Sequence, residues 1–183
     1  MNRNHSLKKN FLGITSLILL TAIDQISKIL AEKYLKNAPV DLIKGVLRLQ
    51  YLENRGAAFG ILQNQRWFFI ILTTAFLIAM IYVWVRIPDD RHFMALHFLC
   101  VLVSAGALGN LIDRACLIYV RDFIYFVLID FPIFNIADIY VTVSAFLMFI
   151  LVFFYYKEED FSFLTSKAGE DLTKPEKRVD DEQ

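Results

Sequence analysis

Apolar residues gather in four long runs, at 11–30, 67–85, 93–112 and 136–156. Each approaches the roughly 20 residues that carry a helix across a bilayer core. The run 67–85 contains no Asp, Glu, Lys, Arg or His, and 93–112 contains only His97. The first run follows Arg3, Lys8 and Lys9 and has the outline of a secretory signal. No small-x-small cleavage step follows Ile23 and three more runs lie downstream, so the pattern predicts a retained helix. Between the first two runs, Leu47, Leu49 and Tyr51 alternate with Arg48 and Gln50, the period of a half-exposed strand. A small sheet on the membrane surface is the expected setting. Pro132 marks where extended chain hands over to the last helix. The expected architecture is one four-helix membrane domain over 1–156, with outer loops at 31–66 and 113–135.

Composition strengthens this picture. The chain has 183 residues, 57% of them hydrophobic, against roughly 45–50% in soluble domains. Net charge is zero, so no bulk field points to nucleic acid. The balance hides a split: residues 157–183 hold 9 acids and 5 bases, leaving 10 acids and 14 bases before them. The tail is expected to be a solvated, disordered extension. Basic residues at the N-terminus, at Arg86 to Arg91 and from Lys157 favour both termini in the cytoplasm, although six bases in 31–66 weigh the other way. Cys100 and Cys116 are too few for a disulfide framework or a Cys-ligated metal.

Ionisable residues stand where a bilayer penalises them. Asp24 and Lys28 share a helical face at i, i+4 within the first run. Eleven Leu, Ile and Phe in 11–30 favour insertion. They contribute on the order of −5 kcal/mol, whereas two charges at mid-membrane cost about +5 to +7 kcal/mol. The pair therefore either locks helices together or anchors a polar site. Asn110, Asp113 and Arg114 follow at i, i+3, i+4 at the end of the third run, where Ala105 and Gly109 form a small-xxx-small step for close helix approach. Asn135 and Asp138 share a face at the start of the last run, with Asp122 in the loop before it.

A loop folded over that helix end would set two carboxylates together. At about 4 Å and an effective dielectric near 20 their repulsion is roughly 4 kcal/mol, or about three pKa units. One stays protonated while the other ionises, which is the division of an aspartic protease. Spacing alone leaves open which of Asp113, Asp122 and Asp138 form the pair. His5, His92 and His97 lie in the tail, the inner loop and mid-membrane, so none can serve an outer-surface nucleophile or a zinc ion. GAAFG at 56–60 reads as close backbone approach beside a site. A transporter would need polar residues through the full depth of the bundle, yet 67–85 offers only Thr73, Thr74 and Tyr82. A non-catalytic assembly subunit would tolerate isosteric loss of either carboxylate.

The blocks DQISK (24–28), NRGAAFG (54–60), GALGNLIDR (106–114), RDFI (121–124) and FPIFNIAD (131–138) occur in an order that resembles lipoprotein signal peptidase, or signal peptidase II. The resemblance implies an all-α membrane protein of the bacterial cytoplasmic membrane: four transmembrane helices, both ends cytoplasmic, a small extracytoplasmic β-sheet and a short membrane-surface helix. It implies a monomeric aspartic endopeptidase without cofactor or metal. Its substrate would be the signal peptide of diacylglyceryl-modified prolipoproteins, cut on the amino side of the lipidated cysteine near the outer face. Asp122 and Asp138 match the catalytic pair, Asn110, Asp113, Arg114 and Asn135 match residues that orient the pair or the substrate, and Asn54 matches a substrate-binding asparagine. Gly56 falls in the same block as Asn54, and Asp24 with Lys28 matches the polar pair of the first helix. Ala105, Ile118, Arg121 and Ile139 depart from the family's usual residues. Arg121 stands where an apolar residue is usual, and its cation is expected to lower the pKa of Asp122 and make it the ionised member.

Overall fold

In the computed structural model, residues 3–57 and 61–165 are described. Four long helices match the four runs: α1 (Arg3–Leu35), α2 (Arg66–Arg86), α3 (Met94–Leu117) and α4 (Ile136–Ile150). A π-helical turn, Leu151–Tyr155, continues α4. All four are long and apolar enough to cross a membrane. Their lengths differ from the runs because polar ends extend them: α1 begins among its N-terminal bases, and α3 continues past 112 to Leu117. Ile118 ends α3 at φ 75°, a left-handed cap that costs a residue with a Cβ about 1–2 kcal/mol.

The bundle is organised around α3. It buries residues along most of its length, from Leu96 to Asp113, whereas α2 buries none. Close approach to α3 depends on two glycines. A Cβ on Gly106 would strike the Ala137 carbonyl oxygen on α4, and one on Gly109 would strike an Asp24 carboxylate oxygen on α1. Of the expected small-xxx-small step, Ala105 is fully buried and Gly109 meets α1, while Gly106, one residue on from Ala105, admits α4. The outward faces expose Phe11, Ile18, Trp67, Ile71, Phe146 and Phe153, an apolar surface suited to lipid and not to water.

Three antiparallel strands cap one end in the order β1 (Val40–Ile43), β2 (Leu47–Asn54), β3 (Val120–Phe126). The alternation at Leu47 to Tyr51 lies on β2 as expected. Within the expected outer loop 113–135, residues Val120–Phe126 form β3, a strand that the sequence pattern did not single out. Its first four residues are buried, so VRDFIYF carries no alternating pattern to betray a strand. Ala31 and Leu35 of α1 clamp Phe123 of β3, with Leu49, Tyr51 and Ile136 around them, which fastens the sheet to the bundle. The backbone of Phe134 then pairs with β3: Phe123 and Ile124 donate to its carbonyl at 3.0 and 2.8 Å, and it donates back to Ile124 at 3.0 Å. This pairing holds the start of α4 against the strand that carries Asp122.

Outside the long helices, the described helical piece at the sheet end is the 3-10 turn Val127–Ile129. At the opposite end Glu158–Phe161 and Ser162–Thr165 form short helical turns. There Phe161 and Phe163 pack on the cluster of Ile87, Phe93, Leu96, Cys100 and Tyr156. The first residues of the expected solvated extension are therefore folded, because two phenylalanines in 161–163 give them a surface to bury. Residues 58–60, part of the GAAFG segment, and 166–183, the rest of the tail, lie outside the described residues.

Candidate active site

The polar groups of α1, α3, β3 and α4 meet at the sheet end in one buried network. Asp24, Lys28, Asp113 and Asn135 are each 0% exposed, and Asp122 is 2% exposed. Lys28 Nζ lies 2.8 Å from Asp24 and 3.7 Å from Asp113, and donates to Asn110 Oδ1 at 2.9 Å. Asp24 also accepts from the backbone of Ala137 at 2.9 Å, so α1, α3 and α4 are joined through one carboxylate and one ammonium. Desolvating these ions costs several kcal/mol each, which only dense pairing offsets. The two readings of Asp24 and Lys28 therefore merge: the ion pair locks helices, and it supports a site.

Asn135 organises the carboxylates. It is the N-cap of α4, accepting from Asp138 N at 3.1 Å while its own N donates to Asp138 Oδ2 at 3.0 Å, a reciprocal capping box. Its side-chain amide donates to Asp122 Oδ1 at 2.6 Å. One residue thus holds both Asp122 and Asp138. Each aspartate has a second amide: Asn54 donates to Asp122 at 2.9 Å, and Asn110 donates to Asp138 at 2.8 Å. The sheet register explains the reach of Asn54, since Leu52 stands opposite Asp122 across an irregularity between Leu49 and Leu52. Of the three aspartates left open by spacing, Asp122 and Asp138 come together. Asp113 turns instead to cations.

Asn110, Asp113 and Arg114 share a helix end yet serve different neighbours. Asp113 accepts from the Arg121 backbone at 2.9 Å and from its guanidinium at 2.7 and 3.2 Å. Arg114 donates to the Gly56 carbonyl at 3.1 Å and lies over the Phe69 ring. Gly56 N in turn donates to Asn54 Oδ1 at 2.9 Å, which orients the amide that meets Asp122. A Cβ on Gly56 would stand 2.6 Å from the Ile61 carbonyl oxygen, so the close backbone approach read in this segment is real.

Burial first, and then the charge of Asp138, push the Asp122 pKa up to about 7, against the opposing pull of the Asn54 and Asn135 amides. This overturns the expected effect of Arg121. Consecutive strand residues point to opposite faces, so the guanidinium leaves Asp122 and reaches Asp113, Gln25 at 3.0 Å and Glu32 at 3.5 Å. Asp122 therefore holds its proton well above the usual carboxylate range. Gln25 was not singled out in the sequence, yet its amide touches Asp24 at 3.2 Å, Asp113 at 3.2 Å and the Gly109 carbonyl at 3.0 Å. Its place inside DQISK, beside Asp24, was the available signal.

Residues 16–154 match the family model described as signal peptidase (SPase) II. The chain belongs to the signal peptidase II family. It is 42% identical over 154 residues to a lipoprotein signal peptidase of Streptococcus pyogenes serotype M1, covering 84% of this chain and 98% of that protein. The homologue from S. pyogenes serotype M18 (strain MGAS8232) is similar to the same extent. Two solved bacterial membrane enzymes share the fold. One has a TM-score of 0.69 at 35% identity over 77% of this chain and 87% of its own; the other has 0.67 at 31% over 79% and 94%. As a signal peptidase II, the chain is a membrane protease, built as the four-helix bundle with the three-stranded cap described above.

Proposed function

We propose that this signal peptidase II is an aspartic endopeptidase that removes signal peptides from diacylglyceryl-modified prolipoproteins, cutting on the amino side of the lipidated cysteine. The observation that carries the reading is Asn135, which joins Asp122 to Asp138 through one amide and one backbone N–H. Asp122 holds the proton and polarises the scissile carbonyl. Asp138 takes a proton from the attacking water, and the roles reverse as the amine leaves. Asn54, Asn110 and Asn135 fix both carboxyl groups, so little reorganisation accompanies the reaction. No metal or organic cofactor enters this chemistry.

The site lies beside the apolar outer faces of the helices, which supports a substrate whose acyl chains remain among lipids while its peptide meets the carboxylates. Arg114 and the Gly56 segment border that approach and suit recognition of an extended backbone. In this reading the enzyme works as a monomer in the bacterial cytoplasmic membrane, with the sheet end outside and both termini cytoplasmic, an orientation that the bases at the N-terminus, at Arg86 to Arg91 and from Lys157 support. Cleavage of lipidated precursor by purified protein in liposomes tests the reading. Asp122→Asn and Asp138→Asn are each expected to bind precursor without cutting it; turnover by either removes that residue from the pair, and equal cutting of unlipidated precursor removes the substrate claim.

A further inference from the structure

Arg121 sits at the head of a buried chain of ion pairs and hydrogen bonds that leads to the catalytic pair. Arg121 grips both oxygens of Asp113, and Asp113 lies 3.7 Å from Lys28. Lys28 donates to Asn110, and Asn110 donates to Asp138. Arg121 is also bonded covalently to Asp122 within β3. We propose that Arg121 is a positioning residue for the proteolytic reaction, holding Asp122 through the strand and Asp138 through Asp113, Lys28 and Asn110. This rests on the assignment of Asp122 and Asp138 as the catalytic pair.

Three carboxylates, Asp24, Asp113 and Glu32, face two cations, Lys28 and Arg121. An ammonium has only three donors and a single charge centre. With Arg121 on Asp113, Lys28 sits close to Asp24, at 2.8 Å, and keeps a hydrogen for Asn110. Without Arg121, Asp113 is a fully buried anion whose nearest remaining cation is Lys28. Lys28 then moves toward Asp113 and away from Asn110, leaving the Asn110 side-chain oxygen with the Asn135 amide, at 3.2 Å, as its remaining donor and loosening the aim of Asn110 at Asp138. The strand loses an anchor at the same time: the Arg121 side chain reaches Gln25 and Glu32 on α1, and it is 7% exposed, so no water replaces those bonds easily. The fork geometry matters, because one guanidinium serves Asp113, Gln25 and Glu32 together, which a lysine cannot do.

The test measures kcat and KM on diacylglyceryl-modified precursor with full-length protein in liposomes, well below each variant's melting midpoint. Arg121→Leu is expected to lower kcat by about 10- to 100-fold, the scale of a small misplacement of reacting groups, with KM unchanged within about threefold. Arg121→Lys is expected to fall between the two, with a melting midpoint close to that of the parent. A general loss of folding would instead lower the active fraction and leave kcat per folded molecule intact. If Arg121→Leu does not fold, Arg121→Lys decides: a kcat loss of at least about threefold at unchanged KM supports the inference, and parental kcat overturns it. Parental kcat in folded Arg121→Leu overturns it likewise. Asp122→Asn is measured alongside. If it cuts, the assignment of the pair fails; if it is inert while Arg121→Leu turns over normally, only the role of Arg121 fails.

Discussion

The two ends of the bundle are held together by different physics. At the sheet end, buried Asp24, Lys28, Asp113, Arg121, Asp122 and Asn135 are joined by directed hydrogen bonds, each with few permitted geometries. At the opposite end, Phe93, Tyr156, Phe161 and Phe163 stack edge-on and face-on around Ile87 and Cys100. Aromatic packing tolerates small shifts and loses energy gradually. A network of buried charges does not, because each partner removed leaves another group unsatisfied. The proposed chemistry sits at the end where directed bonds fix position.

The sharpest way to break this contrast is at the carboxylates. Asp122→Asn and Asp138→Asn are each expected to reduce turnover by about 10²- to 10⁴-fold, the range for removing a general acid or base. Liposome cleavage assays check it. Next is the ion pair: Lys28→Met strands Asp24 and Asp113 without their shared ammonium and is expected to cost about 3–5 kcal/mol of stability, read by thermal melting in detergent.

Proton linkage sharpens the contrast further. With its pKa near 7 in the folded chain, Asp122 keeps its proton where an unfolded aspartate, at about 4, has released it. The folded state binds more protons between those values, so this group makes stability fall as the pH rises from about 4 to 7. Melting measured across that range is expected to show the decline, and Asp122→Asn to flatten it. The smallest effect belongs to the aromatic end. Phe163→Ala is expected to cost about 1–2 kcal/mol of stability and to leave kcat unchanged, since the residue packs at the far end from the carboxylates. A comparable drop in kcat would mean that the two ends are mechanically coupled.

Much of the site was legible because short polar blocks interrupt runs that a membrane requires to be apolar. Asp24 and Lys28 stand out in α1 for that reason, and helical spacing alone puts Asn135 beside Asp138. β3 was not legible, since a strand buried on both faces has no alternation to display. Nor was the target of Arg121. Adjacency to Asp122 in the chain suggested a charge interaction, but the pleat of the strand sends neighbouring side chains to opposite faces.

Sequence by itself determined the local, one-dimensional quantities: four helices of membrane length, a half-exposed strand at Leu47 to Tyr51, and which side chains share a helical face. These follow from periodicity and from the cost of polar groups in hydrocarbon, both properties of a segment taken alone. Tertiary structure decided which of three aspartates pair, that Asn135 holds both members, and that Arg121 serves Asp113 instead of Asp122. Those outcomes depend on distances between segments far apart in the chain, set by Gly106 and Gly109 admitting neighbouring helices and by Phe134 pairing with β3. No spacing rule within a single segment contains them.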